Sequence, residues 1–102
     1  MAKLIAMYKT PVDAKAFDDY YYSIHVPIAK KIAGLKRYEV TNGPIMGPEG
    51  GSPFHLIATL YFDTMGELHS ALGSPEGAAA AKDLANFATG GVDLWIYDHK
   101  EI

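Results

Sequence analysis

The stretch Phe54-His-Leu-Ile-Ala-Thr-Leu-Tyr-Phe62 is apolar almost throughout. Successive side chains of a strand point to opposite faces. Phe54, Leu56, Ala58, Leu60 and Phe62 therefore share one face, and Ile57 and Tyr61 the other. A run near the C-terminus, Val92 to His99, repeats the pattern, with Val92, Leu94 and Ile96 opposing Trp95 and Tyr97. Strands apolar or aromatic on both faces belong to a sheet covered on both sides.

Working outward, Lys3 to Lys9 is an apolar run bounded by Thr10-Pro11 and reads as the first strand. Pro11 starts a turn, and Asp13 is placed to cap a helix. Phe17, Tyr20, Ile24 and Ile28 recur at helical spacing, which predicts one buried stripe. Lys30 and Lys31 suit the negative end of that helix, and Gly34 stops it. Leu35 to Thr41 is the second strand, with Tyr38 and Val40 alternating with Arg37 and Glu39. Asn42 to Pro53 is rich in glycine and proline and reads as a mobile connection, or less readily as a lid. After the third strand, Thr64-x-x-Glu67 is a candidate capping box for a short helix closed by Gly73. Ser74-Pro75 opens another, which carries Ala78 to Ala81, Leu84 and Phe87 and ends near Gly90-Gly91.

The order is β-α-β-β-α-β: an α+β, ferredoxin-like arrangement with an antiparallel sheet and helices on one face, a single domain over residues 1–102. Helices cover only one face of such a sheet. A bare second face would be a larger apolar patch than monomers usually expose. The simplest cover is a second copy of the same sheet, which gives a homodimer with a barrel-like interior. The alternative is a second face only partly apolar and left wet.

Composition narrows the function. Net charge is −3, which offers no basic surface to nucleic acid. There are no cysteines, so disulfides, thiolate metal sites and cysteine nucleophiles are excluded. No apolar run has transmembrane length, and the apolar start is too brief for a signal peptide. The expectation is a cytoplasmic protein with no membrane partner. His55, His69 and His99 are scattered without i, i+4 spacing or an H-E-x-x-H motif, so no metal site is expected. No nucleotide motif and no G-x-S-x-G context is present.

The densest chemistry lies in Tyr20-Tyr-Tyr-Ser-Ile-His25-Val-Pro27. Helical residues are about 100° apart, so three consecutive phenols diverge. Tyr20 falls with Phe17 and Ile24 on the core stripe, Tyr21 lies one turn before His25, and Tyr22 faces outward. Pro27 lacks an N–H, so the Ser23 carbonyl loses its helical partner, and Val26 is pushed away from α geometry. His25 then sits at a kink that aims it into a cavity, where an imidazole can exchange a proton near neutral pH. The plainer reading is a histidine that caps a broken helix. Asp83, one turn before Phe87, is either a solvated carboxylate or the partner that holds the tautomer of His25. Trp95, Tyr97, Tyr61 and Ile57 form an aromatic second face, suited to a small ligand or simply packed in the dimer.

Taken together, Phe17-x-x-Tyr20-Tyr21-x-x-x-His25-x-Pro27, Gly34-Leu35-x-Arg37-Tyr38, Ser74-Pro75-Glu76-Gly77 and Asp83-x-x-x-Phe87 resemble the EthD-like family, named for ethyl tert-butyl ether degradation. The resemblance covers nearly the whole chain. It implies a dimeric α+β barrel and a recurrent pocket that includes His25. Members of that family handle small organic compounds in degradation or biosynthesis. The wider barrel superfamily spans cofactor-independent monooxygenases, polyketide cyclases, decarboxylases, lactone isomerases and haem proteins, so the fold alone warrants no single chemistry.

The resulting expectation is a homodimeric, oxidoreductase-like enzyme of monooxygenase type acting on a small apolar or aromatic metabolite. No cofactor is expected, with a haem as the alternative. His25 would be the general acid/base, Tyr21 the donor to a substrate oxygen and Asp83 the residue that orients His25. Phe17, Tyr61, Phe87, Trp95 and Tyr97 would bind substrate. The rival readings are a cyclase or decarboxylase using the same residues, and a carrier or sensor without turnover.

Overall fold

Residues 1–102 are all described by the computed structural model. The chain runs β1 (Ala2–Lys9), α1 (Ala14–Tyr20), a π-helical turn (Tyr21–His25), α2 (Val26–Ala29), β2 (Arg37–Val40), β3 (Met46–Gly47) and β4 (Gly50–Gly51). It continues through β5 (Phe54–Phe62), α3 (Met65–Leu72), α4 (Pro75–Asp83), a 3₁₀ turn (Leu84–Asn86) and β6 (Val92–Asp98). Four strands form one antiparallel sheet in the order β2-β5-β1-β6. This is the expected α+β, ferredoxin-like arrangement, with the helices on one face.

Side-chain oxygens fix the helix starts. Asp13 accepts from the Ala16 N–H, Thr64 from the Glu67 N–H and Ser74 from the Gly77 N–H. Gly34, at φ +86°, turns the chain out of the first helical region in a conformation that favours glycine. Gly77 is required for a different reason: a Cβ there would collide with the Ala71 carbonyl oxygen where α4 crosses the end of α3.

Register sorts the residues by face. Ala6 lies opposite Ala58 and Leu94, and Leu4 opposite Leu60 and Ile96. All share the face toward the helices with Tyr8, Leu56 and Phe62, and all but the half-exposed Leu94 belong to the core or pack against it. Ile5, Met7, Ile57, Tyr61, Trp95 and Tyr97 occupy the outer face by the same alternation. Trp95 is 63% exposed and Tyr97 39% exposed there. The outer face is also partly charged: the Lys3 ammonium lies over the Tyr61 and Tyr97 rings, and the Tyr61 hydroxyl donates to Glu39.

Several expectations need correction. The helix does not break before Pro27. It widens into a π turn in which the Val26 N–H bonds to the Tyr21 carbonyl, and Val26 itself stays helical. Widening makes room for a proline ring that would clash with a carbonyl in a regular α-helix. It also moves the buried stripe. Four residues of α-helix overshoot a full turn by about 40°. A wider turn removes that drift, so Phe17, Tyr21, His25 and Ala29 line up inward. Tyr20 is only partly buried, and Ile24 is 46% exposed. Finally, the Asn42–Pro53 connection carries a small hairpin, β3 paired with β4, and β2 is shorter than the apolar alternation implied.

Candidate functional site

Between the helices and the inner sheet face lies a cavity of about 80 Å³, with hydrophobic side chains at 15 of its 17 lining residues. It exists because small residues face one another across the two layers. Ala6 and Ala58 on the sheet oppose Ala29, Gly77 and Ala80 on the helices, so interior packing is incomplete there. Leu72 and Leu94, at 37% and 47% exposed, also line it and mark its solvent side.

His25 lines this cavity from the π turn and is 5% exposed. Its Nδ1 lies 2.9 Å from Oδ2 of Asp83, at the end of α4. Asp83 is 7% exposed and accepts two further bonds at Oδ1, from the Tyr20 hydroxyl at 2.6 Å and the Asn86 amide at 2.9 Å. Burial pushes the Asp83 carboxyl up, but the bonds from Tyr20, Asn86 and His25 outweigh it and hold the group below its ordinary range. A carboxylate on Nδ1 selects the tautomer with the proton there. The lone pair then sits on Nε2, which makes no hydrogen bond to the protein.

The phenols divide their work in an unexpected way. Tyr21 is fully buried and its hydroxyl lies 2.6 Å from that of Tyr38 on β2. Burial is the main cause of the strong upward push on the Tyr21 phenol, followed by the nearby Tyr38. Both hydroxyls remain protonated, and a pair that shares one bond retains one unspent O–H. Tyr21 also meets the His25 ring at 5.4 Å. Tyr20 serves Asp83, and Tyr22 is 51% exposed.

Of the eight expected site residues, five gather here. Phe87 packs against His25 at 4.7 Å and against Phe17 at 5.3 Å, behind the cavity wall formed by Tyr8 and Tyr21. Tyr61, Trp95 and Tyr97 do not join His25, Tyr21, Asp83, Phe17 and Phe87. Strand alternation sends them to the outer sheet face, with the whole sheet between them and His25. Sequence reasoning missed Tyr8 and Tyr38, which line the cavity, and Tyr20 and Asn86, which hold Asp83. The inward parity of Tyr38 with Val40 was a usable signal. Nothing in the sequence pairs Asn86 with Asp83 except their spacing.

The glycine-rich connection lies elsewhere. With Thr10, Asp18, Tyr22 and His55 it lines a separate polar groove, where Nε2 of His55 is 2.8 Å from Asp18. No three His, Asp or Glu side chains cluster in metal-binding geometry. A haem macrocycle is several times too large for the cavity beside His25. No helix is long and apolar enough to cross a membrane.

Comparison with known proteins is consistent along the chain. The family model described as EthD domain matches residues 9–91, a stretch that begins one residue after Tyr8. The 11.0 kDa protein of the thcB-thcC intergenic region of Rhodococcus erythropolis is 38% identical over 103 residues, covering 100% of this chain and 98% of that protein. The crystal structure of an EthD family protein from Bacillus halodurans C-125 is 40% identical, with a TM-score of 0.89, covering 98% of this chain and 99% of that one. SnoaB, a cofactor-independent oxygenase from Streptomyces nogalater, shares the fold at a TM-score of 0.69 with 9% identity, over 99% of this chain and 94% of that one.

Proposed function

We propose, for a chain that belongs to the EthD family, a homodimeric cytoplasmic enzyme that uses His25 as general acid/base on a small, mainly apolar metabolite. One observation carries the reading: a buried His–Asp pair presents an unbonded Nε2 to an apolar cavity. Nε2 takes a proton from an acidic O–H or C–H of the bound compound. Asp83 stabilises the imidazolium that forms, and the ring later returns the proton. A carbanion or phenolate generated in an apolar, water-poor site is a good reductant. Transfer of its electrons to molecular oxygen gives the oxygen-dependent, cofactor-free oxidation that we favour. The likeness in fold to a cofactor-independent oxygenase supports that choice without deciding it.

The dimer is supported by the outer sheet face, where Trp95, Tyr97, Ile5, Met7 and Ile57 form an apolar surface that the helices leave bare. Tyr61, Trp95 and Tyr97 then belong to subunit packing rather than to substrate.

The test is turnover by wild type and His25→Ala on a panel of phenols, anthrones and keto acids, with and without oxygen. The expected result is consumption by wild type that needs oxygen and falls by at least 100-fold in the variant, the lower range for a lost acid/base. Compounds that bind yet are recovered unchanged from wild type would refute an enzyme and leave a carrier. Oxygen-independent consumption would move the reaction to proton transfer alone, as in a cyclase or decarboxylase.

A further inference from the structure

Tyr8 stands apart from the other cavity phenols. It ends the inward row Ala2, Leu4, Ala6, Tyr8 of β1, just before the strand register shifts at Tyr8/Lys9. Three aromatic neighbours clamp its ring: Phe17 at 5.4 Å, Tyr21 at 5.6 Å and Phe87 at 5.5 Å. The side chain is 2% exposed, so its direction is set by packing. Tyr20 bonds to Asp83, Tyr21 to Tyr38 and Tyr61 to Glu39, but the Tyr8 hydroxyl bonds to no protein group. It is not sealed in the interior either, for the only buried side-chain polar atom without a partner is Nδ1 of His99. The hydroxyl therefore opens on the cavity that Tyr8 lines together with His25.

We infer that Tyr8 is the hydrogen-bond donor that recognises the ligand, and that the ligand is a compound no larger than one small ring carrying an oxygen acceptor. The inference rests on the proposed acid/base reading, and it adds the substrate class. A fixed donor on the sheet and a base on the helix bracket the same hollow. A carbonyl or phenolic oxygen bonds to Tyr8 while the adjacent acidic hydrogen meets Nε2 of His25. Burial, and then the proximity of Tyr38 and Asp83, push the Tyr8 phenol well above its ordinary range, so it stays a donor at any physiological pH. Volume limits the rest of the molecule. The hollow of about 80 Å³ is smaller than the roughly 150 Å³ that accepts benzene in an engineered apolar cavity. One ring enters with outward movement of the exposed Leu72 and Leu94, whereas a fused polycycle requires the helices to part.

The experiment compares cyclohexanone, which only accepts hydrogen bonds, with benzene, which does neither, on wild type and Tyr8→Phe. Affinities come from calorimetry or ligand-observed NMR. Cyclohexanone is expected to lose roughly tenfold in the variant, the worth of one hydrogen bond, while benzene changes by less than about twofold. Thermal unfolding of Tyr8→Phe should match or exceed that of wild type, because no protein bond is removed. Equal changes for both probes, or none for cyclohexanone, would overturn the role of Tyr8 and leave the acid/base reading standing. Failure of both probes to bind wild type at millimolar concentration would overturn the ligand cavity itself, and the inference with it.

Discussion

Replacing Asp83 with asparagine keeps its shape and removes its charge. In the native chain Asp83 accepts from Tyr20, His25 and Asn86. Hydrogen bonds to a charged acceptor contribute about 1.5–3 kcal/mol and neutral ones about 0.5–1.5 kcal/mol. Tyr20 and Asn86 have access to water, so the bond from buried His25 dominates the difference. The asparagine amide can still face Nδ1 if the imidazole moves its proton to Nε2. The expected destabilisation of Asp83→Asn at neutral pH is therefore about 2 kcal/mol rather than the roughly 3–5 kcal/mol of a broken buried pair. For a domain of this size that is a fall in Tm of about 8–16 °C. The folded pKa of Asp83 is depressed below the ordinary 3.8. Its contribution is complete above that value and is lost as pH falls through the depressed one. The wild-type and variant stabilities should thus converge in strong acid. Urea unfolding at matched protein concentration across pH measures this, and nitrogen NMR of the imidazole reads the tautomer. A difference under about 0.5 kcal/mol at neutral pH, or one that persists unchanged in acid, would refute the pairing argument.

Two further outcomes test the fold and its assembly. Gly77→Ala forces a methyl group into the Ala71 carbonyl where α3 meets α4, and should destabilise by about 1–3 kcal/mol or more in urea unfolding; an unchanged midpoint would mean that the helices do not approach so closely. Trp95→Glu puts a charge on the most exposed aromatic of the outer face and should raise the dimer dissociation constant by at least about 30-fold, the scale of a lost aromatic anchor, by sedimentation; a wild type that sediments as a monomer at micromolar concentration would remove the interface.

Much of the fold was legible because it depends on local chemistry. The capping oxygens of Asp13, Thr64 and Ser74 mark helix starts by spacing alone, and Gly34 marks a stop. The alternation in β5 and β6 placed Leu56 and Ile96 inward and Trp95 outward. The site was less legible. The motif residues His25 and Asp83 meet across 58 positions of sequence, and no spacing rule reaches that far. The tyrosine row was misread because the stripe was projected on an α-helix of constant pitch. One wider turn before Pro27 sufficed to keep His25 and Ala29 in line with Tyr21 on the inside and leave Ile24 outside.

From the amino-acid order alone follow the element sequence, the helix ends and the two-faced character of the strands, since each depends on neighbours within a turn or a strand pair. Tertiary structure alone decided which phenol bonds to which group, why Tyr8 is left over, and that Ala6, Ala58, Ala29 and Ala80 leave a hollow beside His25. Those outcomes depend on contacts between distant segments, and a void arises only where two packed layers bring small side chains face to face.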